Sequence, residues 1–170
     1  SDNDSKYIGL FGNVAGGEVK NLGITGEIVL KKESQSVGGV IGYAESTSIS
    51  NCNSSVQINI NGPVRNVGGI VGEGGEIYAC FNTGNIKVVS DTCIYVGGIS
   101  GYGAYIRNAY NSGEIYCEQK NNYWDNVSGI IGYHNGAPVI NCYNVGDVKY
   151  KGGEDNYVNS ICGGYGSIDN

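Results

Sequence analysis

The chain has 170 residues with 30 Gly, 14 Tyr, 6 Cys, 1 His and no Met, long enough for one domain with a sizeable core. Its 16 acidic residues against 10 basic ones give a formal net charge of -6, and no Lys/Arg stripe is present, which excludes the electrostatic footprint of a nucleic-acid-binding protein. Uncharged apolar runs such as Val127 to Tyr133 fall far short of the roughly 20 residues of a membrane-spanning helix, and no signal peptide is read at the start.

One hexapeptide recurs along the chain: YIGLFG from Tyr7, VGGVIG from Val37, VGGIVG from Val67, VGGISG from Val96, VSGIIG from Val127 and VNSICG from Val158, at spacings of 30, 30, 29, 31 and 31 residues. A second block follows each of the first five: VKNLGITGEI from Val19, ISNCNSSVQI from Ile49, IYACFNTGNI from Ile77, IRNAYNSGEI from Ile106 and VINCYNVGDV from Val139. Five copies are nearly full, and a sixth begins at Val158 and stops after Ile168. Residues 1–6 read as an N-terminal tail or cloning remnant, and 7–170 as a single repeat domain, a fragment of a longer array.

Behind each turn the second block alternates with period two, as in Glu27-Ile28-Val29-Leu30 and Asn85-Ile86-Lys87-Val88, the pattern of a half-buried strand. The inner positions read Ile28/Leu30, Ile58/Ile60, Ile86/Val88, Ile115/Cys117 and Val148/Tyr150. No stretch carries a sustained helical period, and β-branched residues and Tyr dominate the apolar set, so the chain is expected to be all-β. A unit of about 30 residues with three short strands cannot enclose its own apolar face, whereas stacked units share one core. The expected fold is therefore a parallel β-solenoid of about five and a half coils. At roughly 4.8 Å per coil it stands roughly 25 Å tall. A propeller blade needs about 40 residues, more than each unit offers.

The corners of such a prism carry Gly and Asn. Gly26, Gly84, Gly113 and Gly146 share a register in which Val56 is the departure, and a left-handed or tight turn is expected there. Asn21, Asn51, Asn108 and Asn141 share a second register, and Asn82, Asn111 and Asn144 a third. Stacked amides can hydrogen-bond along the axis; equally, Asn tolerates left-handed turn geometry.

The paired signature, V-G-G-I-V-G followed by I-x-N-C-Y-N-x-G-x-I, resembles the GLUG repeat of large secreted and surface-attached bacterial proteins, over essentially residues 7 to 168. The pattern departs at Tyr7-Ile8-Gly9-Leu10, at Val56 and at Asn159-Ser160. The resemblance implies a non-catalytic stalk or adhesive region, extracellular or attached to a cell surface, with other domains on the same polypeptide. It implies no defined substrate.

Candidate chemistry is sparse. Cys52, Cys80 and Cys142 share a register with Leu22 and Ala109, Cys117 sits at an inner strand position, and Cys162 replaces Phe11, Ile41, Val71, Ser100 and Ile131. Thiols that interchange with aliphatic residues are expected to be core fillers, although a bridge between Cys52 and Cys80 is geometrically allowed. His134, before Asn135-Gly136, is expected on the surface, and no metal or cofactor is expected. No H-E-x-x-H, G-x-S-x-G or phosphate-binding loop is present. Asp91, Asp125, Asp147 and Asp155 could form a glycan-cleaving pair only at a fixed separation, and they lie in different registers. Aromatic faces with polar tips suit glycan or protein contact, or else stack across coils. Tyr43, Tyr102 and Tyr133 share the register just after the hexapeptide, and Tyr123, Trp124 and Asp125 lie in a variable segment of the fourth coil. Those six residues are the candidate ligand-binding set, with a host or cell-wall glycan or protein as ligand. The expected function is a rigid spacer or adhesive module; the alternative is a carbohydrate-binding or carbohydrate-active β-helix that uses loop aromatics and acids.

Overall fold

The computed structural model describes residues 6–92, 94–121, 125–152, 157–163 and 168–169. Among them the strands form three sheets, of 6, 9 and 8 strands, with parallel pairing throughout. The chain is a β-solenoid of about 5 turns with a period near 30 residues. In the third coil, Val64–Gly68 belongs to the first sheet, Val71–Tyr78 to the second, and Phe81–Asn82 with Ile86–Ser90 to the third.

The pairing places equivalent residues in axial columns. Ile8, Val37, Val67, Val96, Val127 and Val158 form one. Ile28, Ile58, Ile86, Ile115 and Val148 form another, and Leu30, Ile60, Val88, Cys117 and Tyr150 a third. Val67, Ile70, Val71, Ile77, Ile86 and Val88 of a single interior coil are at most 1% exposed, so such a unit buries its branched side chains against its own opposite wall and against the units above and below, whereas Ile8, Ile28 and Leu30 of the first coil are half-buried. Backbone bonds tie the coils through the corners as well: Ile70 N–H donates to Ile99 O at 3.0 Å, Ile99 N–H to Ile130 O at 2.9 Å, and Ile130 N–H to Ile161 O at 3.0 Å.

The first coil enters one residue later than the hexapeptide spacing suggests. Ile8, not Tyr7, is the partner of Val37, while Phe11 pairs with Ile41, so the intervening corner is one residue shorter than in the second coil. The inner column takes the branched Ile8, and the Tyr7 ring turns outward to stack on Tyr43 at 5.0 Å.

The corner glycines also differ from expectation. In their register only Gly26 has a positive φ, at 148°. What demands glycine at Gly113 and Gly146 is the coil beneath, since a Cβ there would overlap the carbonyl of Gly84 or of Gly113. The left-handed turns belong instead to Asn21, Asn51, Asn108 and Asn141, with φ of 57°, 53°, 56° and 52°, and to Ala79 in the third coil at 51°.

Asn82, Asn111 and Asn144 build a ladder. Asn82 Nδ2 donates to Asn111 Oδ1 at 2.9 Å, and Asn111 Nδ2 to Asn144 Oδ1 at 2.8 Å. Each amide also closes a ring with the glycine two residues on; Asn111 Nδ2 reaches Gly113 O at 2.9 Å and its Oδ1 accepts the Gly113 N–H at 3.3 Å. A Cβ on Gly69 would overlap the Asn82 side chain, and one on Gly98 that of Asn111. The second glycine of the hexapeptide and the Asn of the second block therefore recur together because they touch.

Candidate functional site

Two neighbouring outward columns flank the Val column and the corner that follows it. One, immediately before the Val, runs Tyr7, Ser36, Asn66, Tyr95, Asn126, Tyr157. The other, just after the hexapeptide, runs Asn13, Tyr43, Glu73, Tyr102, Tyr133. Their rings mesh: Tyr95 lies 5.7 Å from Tyr102 and 5.3 Å from Tyr133, and Tyr102 lies 5.6 Å from Tyr133 with planes 7° apart. These are stacking distances, so the structure brings Tyr102 and Tyr133 together and sets Tyr43 apart, with Tyr7, on the far side of Glu73.

The aromatic wall breaks between those two stacks. Ser36, Asn66 and Glu73 occupy the gap, and a cavity of about 310 Å³ opens there, lined by Gln35, Arg65, Asn66, Glu73, Tyr95, Tyr102, Tyr133 and Asn135. Its floor is organised around one carboxylate oxygen. Glu73 Oε2 accepts Ser36 Oγ–H at 2.7 Å and Asn66 Nδ2–H at 2.8 Å, and Asn66 also donates to Ser36 Oγ at 3.1 Å. Ser36 and Asn66 are buried at 0% and 3% exposure, so these donors are held in place, whereas Glu73 is half-buried. Asn66 Oδ1 is buried without a hydrogen-bond partner among the described residues. Burial, together with the charges of Glu45 and Glu73, raises the Tyr43 pKa above the ordinary tyrosine value. A larger cavity of about 510 Å³ adjoins this one, sharing Gln35 and Arg65 and adding Lys6, Glu33, Ser34, Pro63, Val64 and Thr92.

Asp125 is in the interior, fully buried. Its Oδ1 accepts Ile94 N–H at 2.9 Å and Gln119 Nε2–H at 3.3 Å, and its Oδ2 accepts Tyr150 O–H at 2.9 Å. Burial raises its pKa, and those three donors oppose the rise. Tyr123 and Trp124 lie outside the described residues, as does Asp155. Asp147 is exposed and pairs with Lys149 at 3.3 Å. Elsewhere the tyrosines stack across coils: Phe81 and Tyr110 at 4.9 Å, Tyr110 and Tyr143 at 5.1 Å.

His134 is not on the surface. It is 2% exposed, with Nδ1 at 3.2 Å from Ala137 O and a buried Nε2 without a partner among the described residues. Asn135 and Gly136, at φ of 49° and 79°, turn the backbone outward, and the imidazole fills the space beneath. Cys52, Cys80 and Cys117 are buried free thiols, and Cys142 and Cys162 are half-buried and free. Burial pushes the Cys80 thiol up to about 12. Among the described residues no three His, Cys, Asp or Glu side chains gather to hold a metal.

Glu73 shares its column with Tyr43, Tyr102 and Tyr133, and that register was visible as a charge interrupting a tyrosine series. Asn66 and Tyr95 gave no comparable signal, because their column precedes the repeating hexapeptide and mixes Tyr, Ser and Asn. No curated protein and no solved structure matches this chain. Residues 33–61, which hold the second hexapeptide and its N-C-N-S-S block, match the family model of the GLUG motif.

Proposed function

We propose that this repeat module is non-catalytic and belongs to a secreted or surface-attached protein, in which it acts as a rigid spacer that presents an adhesive face. One observation carries the reading: the columns are continuous from Ile8 to Val158, so each coil of the interior is paired to its neighbours on both sides. Such a stack resists bending, because displacing one coil breaks the backbone bonds of two interfaces. It holds outward side chains at a pitch of roughly 4.8 Å. Two of the four acids weighed for glycan cleavage support a structural role, since Asp125 is committed to internal donors and Asp147 to Lys149.

Hydrogen exchange tests the rigidity. Amides of Val67, Ile70, Ile99 and Ile130 should exchange as slowly as the slowest in the chain, and rapid exchange across a mid-stack interface would overturn the spacer. Incubation with a panel of polysaccharides should release no reducing ends; release that tracks the purified protein would overturn the non-catalytic reading. A carbohydrate-binding role is favoured by one specific feature, the break in the tyrosine wall at Glu73.

A further inference from the structure

We propose that the notch at Glu73 seats one uncharged pyranose residue, with a sugar face against the Tyr102 and Tyr95 rings and a hydroxyl on Oε1 of the Glu73 carboxylate. This rests on the adhesive reading of the module and names the ligand class it would take.

Three features of the notch point to that class. The first is the mixture of walls. Stacked rings bound it on one side through Tyr95, Tyr102 and Tyr133, and the Tyr7–Tyr43 pair stands beyond Glu73 on the other. An aromatic face attracts the weakly polar C–H surface of a sugar ring.

The second is the state of the carboxylate. Oε2 is fixed by two buried donors, Ser36 and Asn66, whereas Oε1 has no partner among the described residues. An ionised carboxylate is acceptor-only and accepts at both oxygens. A group pre-oriented by its neighbours and open at one oxygen accepts from a hydroxyl without first losing side-chain freedom. A Tyr at this position would stack with the rings above or below; the chain carries Glu73 there instead.

The third is what the lining rejects. A purely apolar ligand would strip water from Glu73 and return no hydrogen bond. A polyanion would meet the same carboxylate, and a simple cation would meet Arg65 at the rim. A neutral polyol satisfies both charged groups, as a donor to Glu73 and an acceptor from Arg65, and the cavity of about 310 Å³ is at the small end of the size of ligand sites, roughly 300–1,000 Å³.

The test is a titration of the isotope-labelled protein with the methyl pyranosides of glucose, galactose, mannose and N-acetylglucosamine, followed by NMR. At least one should shift the resonances of Glu73, Tyr95 and Tyr102 in a saturable manner. Glu73→Gln, which keeps the volume and removes the charge, should weaken that binding by about tenfold or more. Tyr102→Ala should weaken it comparably, and Tyr110→Ala, on the third sheet, should leave it unchanged. If Tyr102→Ala disturbs the fold, Arg65→Ala at the rim takes its place, with a smaller loss expected. Absence of saturable shifts with all four sugars overturns the proposal, as does binding that survives both Glu73→Gln and the ring or rim variant. Slow exchange at the mid-stack amides in the same sample would then show that the site failed while the spacer stood.

Discussion

Asn111→Ala is the sharpest probe of what holds one coil to the next. The Asn111 side chain is fully buried and takes part in four hydrogen bonds: with Asn82 Nδ2 at 2.9 Å, Asn144 Oδ1 at 2.8 Å, Gly113 O at 2.9 Å and Gly113 N at 3.3 Å. At about 1 kcal/mol net for each bond the loss is about 4 kcal/mol, and the stranded Gly113 N–H makes that a lower bound. Against a whole-domain stability of about 5–15 kcal/mol this is a large fraction. Asn141→Ala is the matched control. Asn141 is exposed, donates one bond of 3.2 Å to Asn108 Oδ1 and sits at φ 52°, so its loss is about 1–2 kcal/mol, mostly from the left-handed backbone that Ala dislikes. Urea unfolding followed by far-ultraviolet circular dichroism compares the two, and hydrogen exchange at the Gly113 amide localises the effect. Equal urea midpoints for the two variants, or an unchanged Gly113 exchange rate in Asn111→Ala, would refute the claim that the buried ladder ties the coils.

Other expectations follow from the same geometry. Gly98→Ala places a methyl group into Asn111 and the Gly129 carbonyl and should destabilise by about 3 kcal/mol or more; a melting temperature within a few degrees of the parent's would contradict it. Cys80 titrates at about 12 rather than the ordinary 9.0, so the folded state holds its proton where the unfolded state has lost it. Stability should therefore fall as pH rises above 9.0, by up to about 1.4 kcal/mol per pH unit from this group, and the fall should be shallower in Cys80→Val. Asp125 has its pKa raised from 3.8 by burial; its contribution is greatest in acid and is lost as pH rises through the folded value. Asp125→Asn should accordingly gain stability relative to the parent between pH 3 and pH 7 in thermal melts, and a parent that instead gains on the variant as pH rises would count against a buried charge.

Much of the fold was legible because a solenoid makes sequence period and spatial register the same thing. The Val column, the Ile28 and Leu30 columns and the aliphatic behaviour of the cysteines were readable from spacing alone, as was the Asn82 ladder as one of two alternatives. The structure shows both: the buried Asn82, Asn111 and Asn144 amides bond along the axis, and Asn21, Asn51, Asn108 and Asn141 take the left-handed turns, with Asn141 also bonded to Asn108 in the next coil. What spacing hid was contact between coils. Gly113 is glycine because of Gly84 beneath it, a constraint that no window of local sequence displays. His134 was expected on the surface beside a turn and Asp125 in a ligand-binding segment, yet both are buried; at His134 the backbone of the corner turns outward while the side chain turns in. Of the candidate site, three tyrosines were visible in register, but the notch is a gap, and a gap is defined by the side chains that two columns fail to supply.

The contact between the second hexapeptide glycine and the ladder amide joins Gly69 to Asn82 and Gly98 to Asn111, each pair inside its own repeat. All five full copies keep glycine at that hexapeptide position, as Gly9, Gly39, Gly69, Gly98 and Gly129, so inserting or removing one whole unit preserves each such pair and changes the height of the prism by a single step of roughly 4.8 Å.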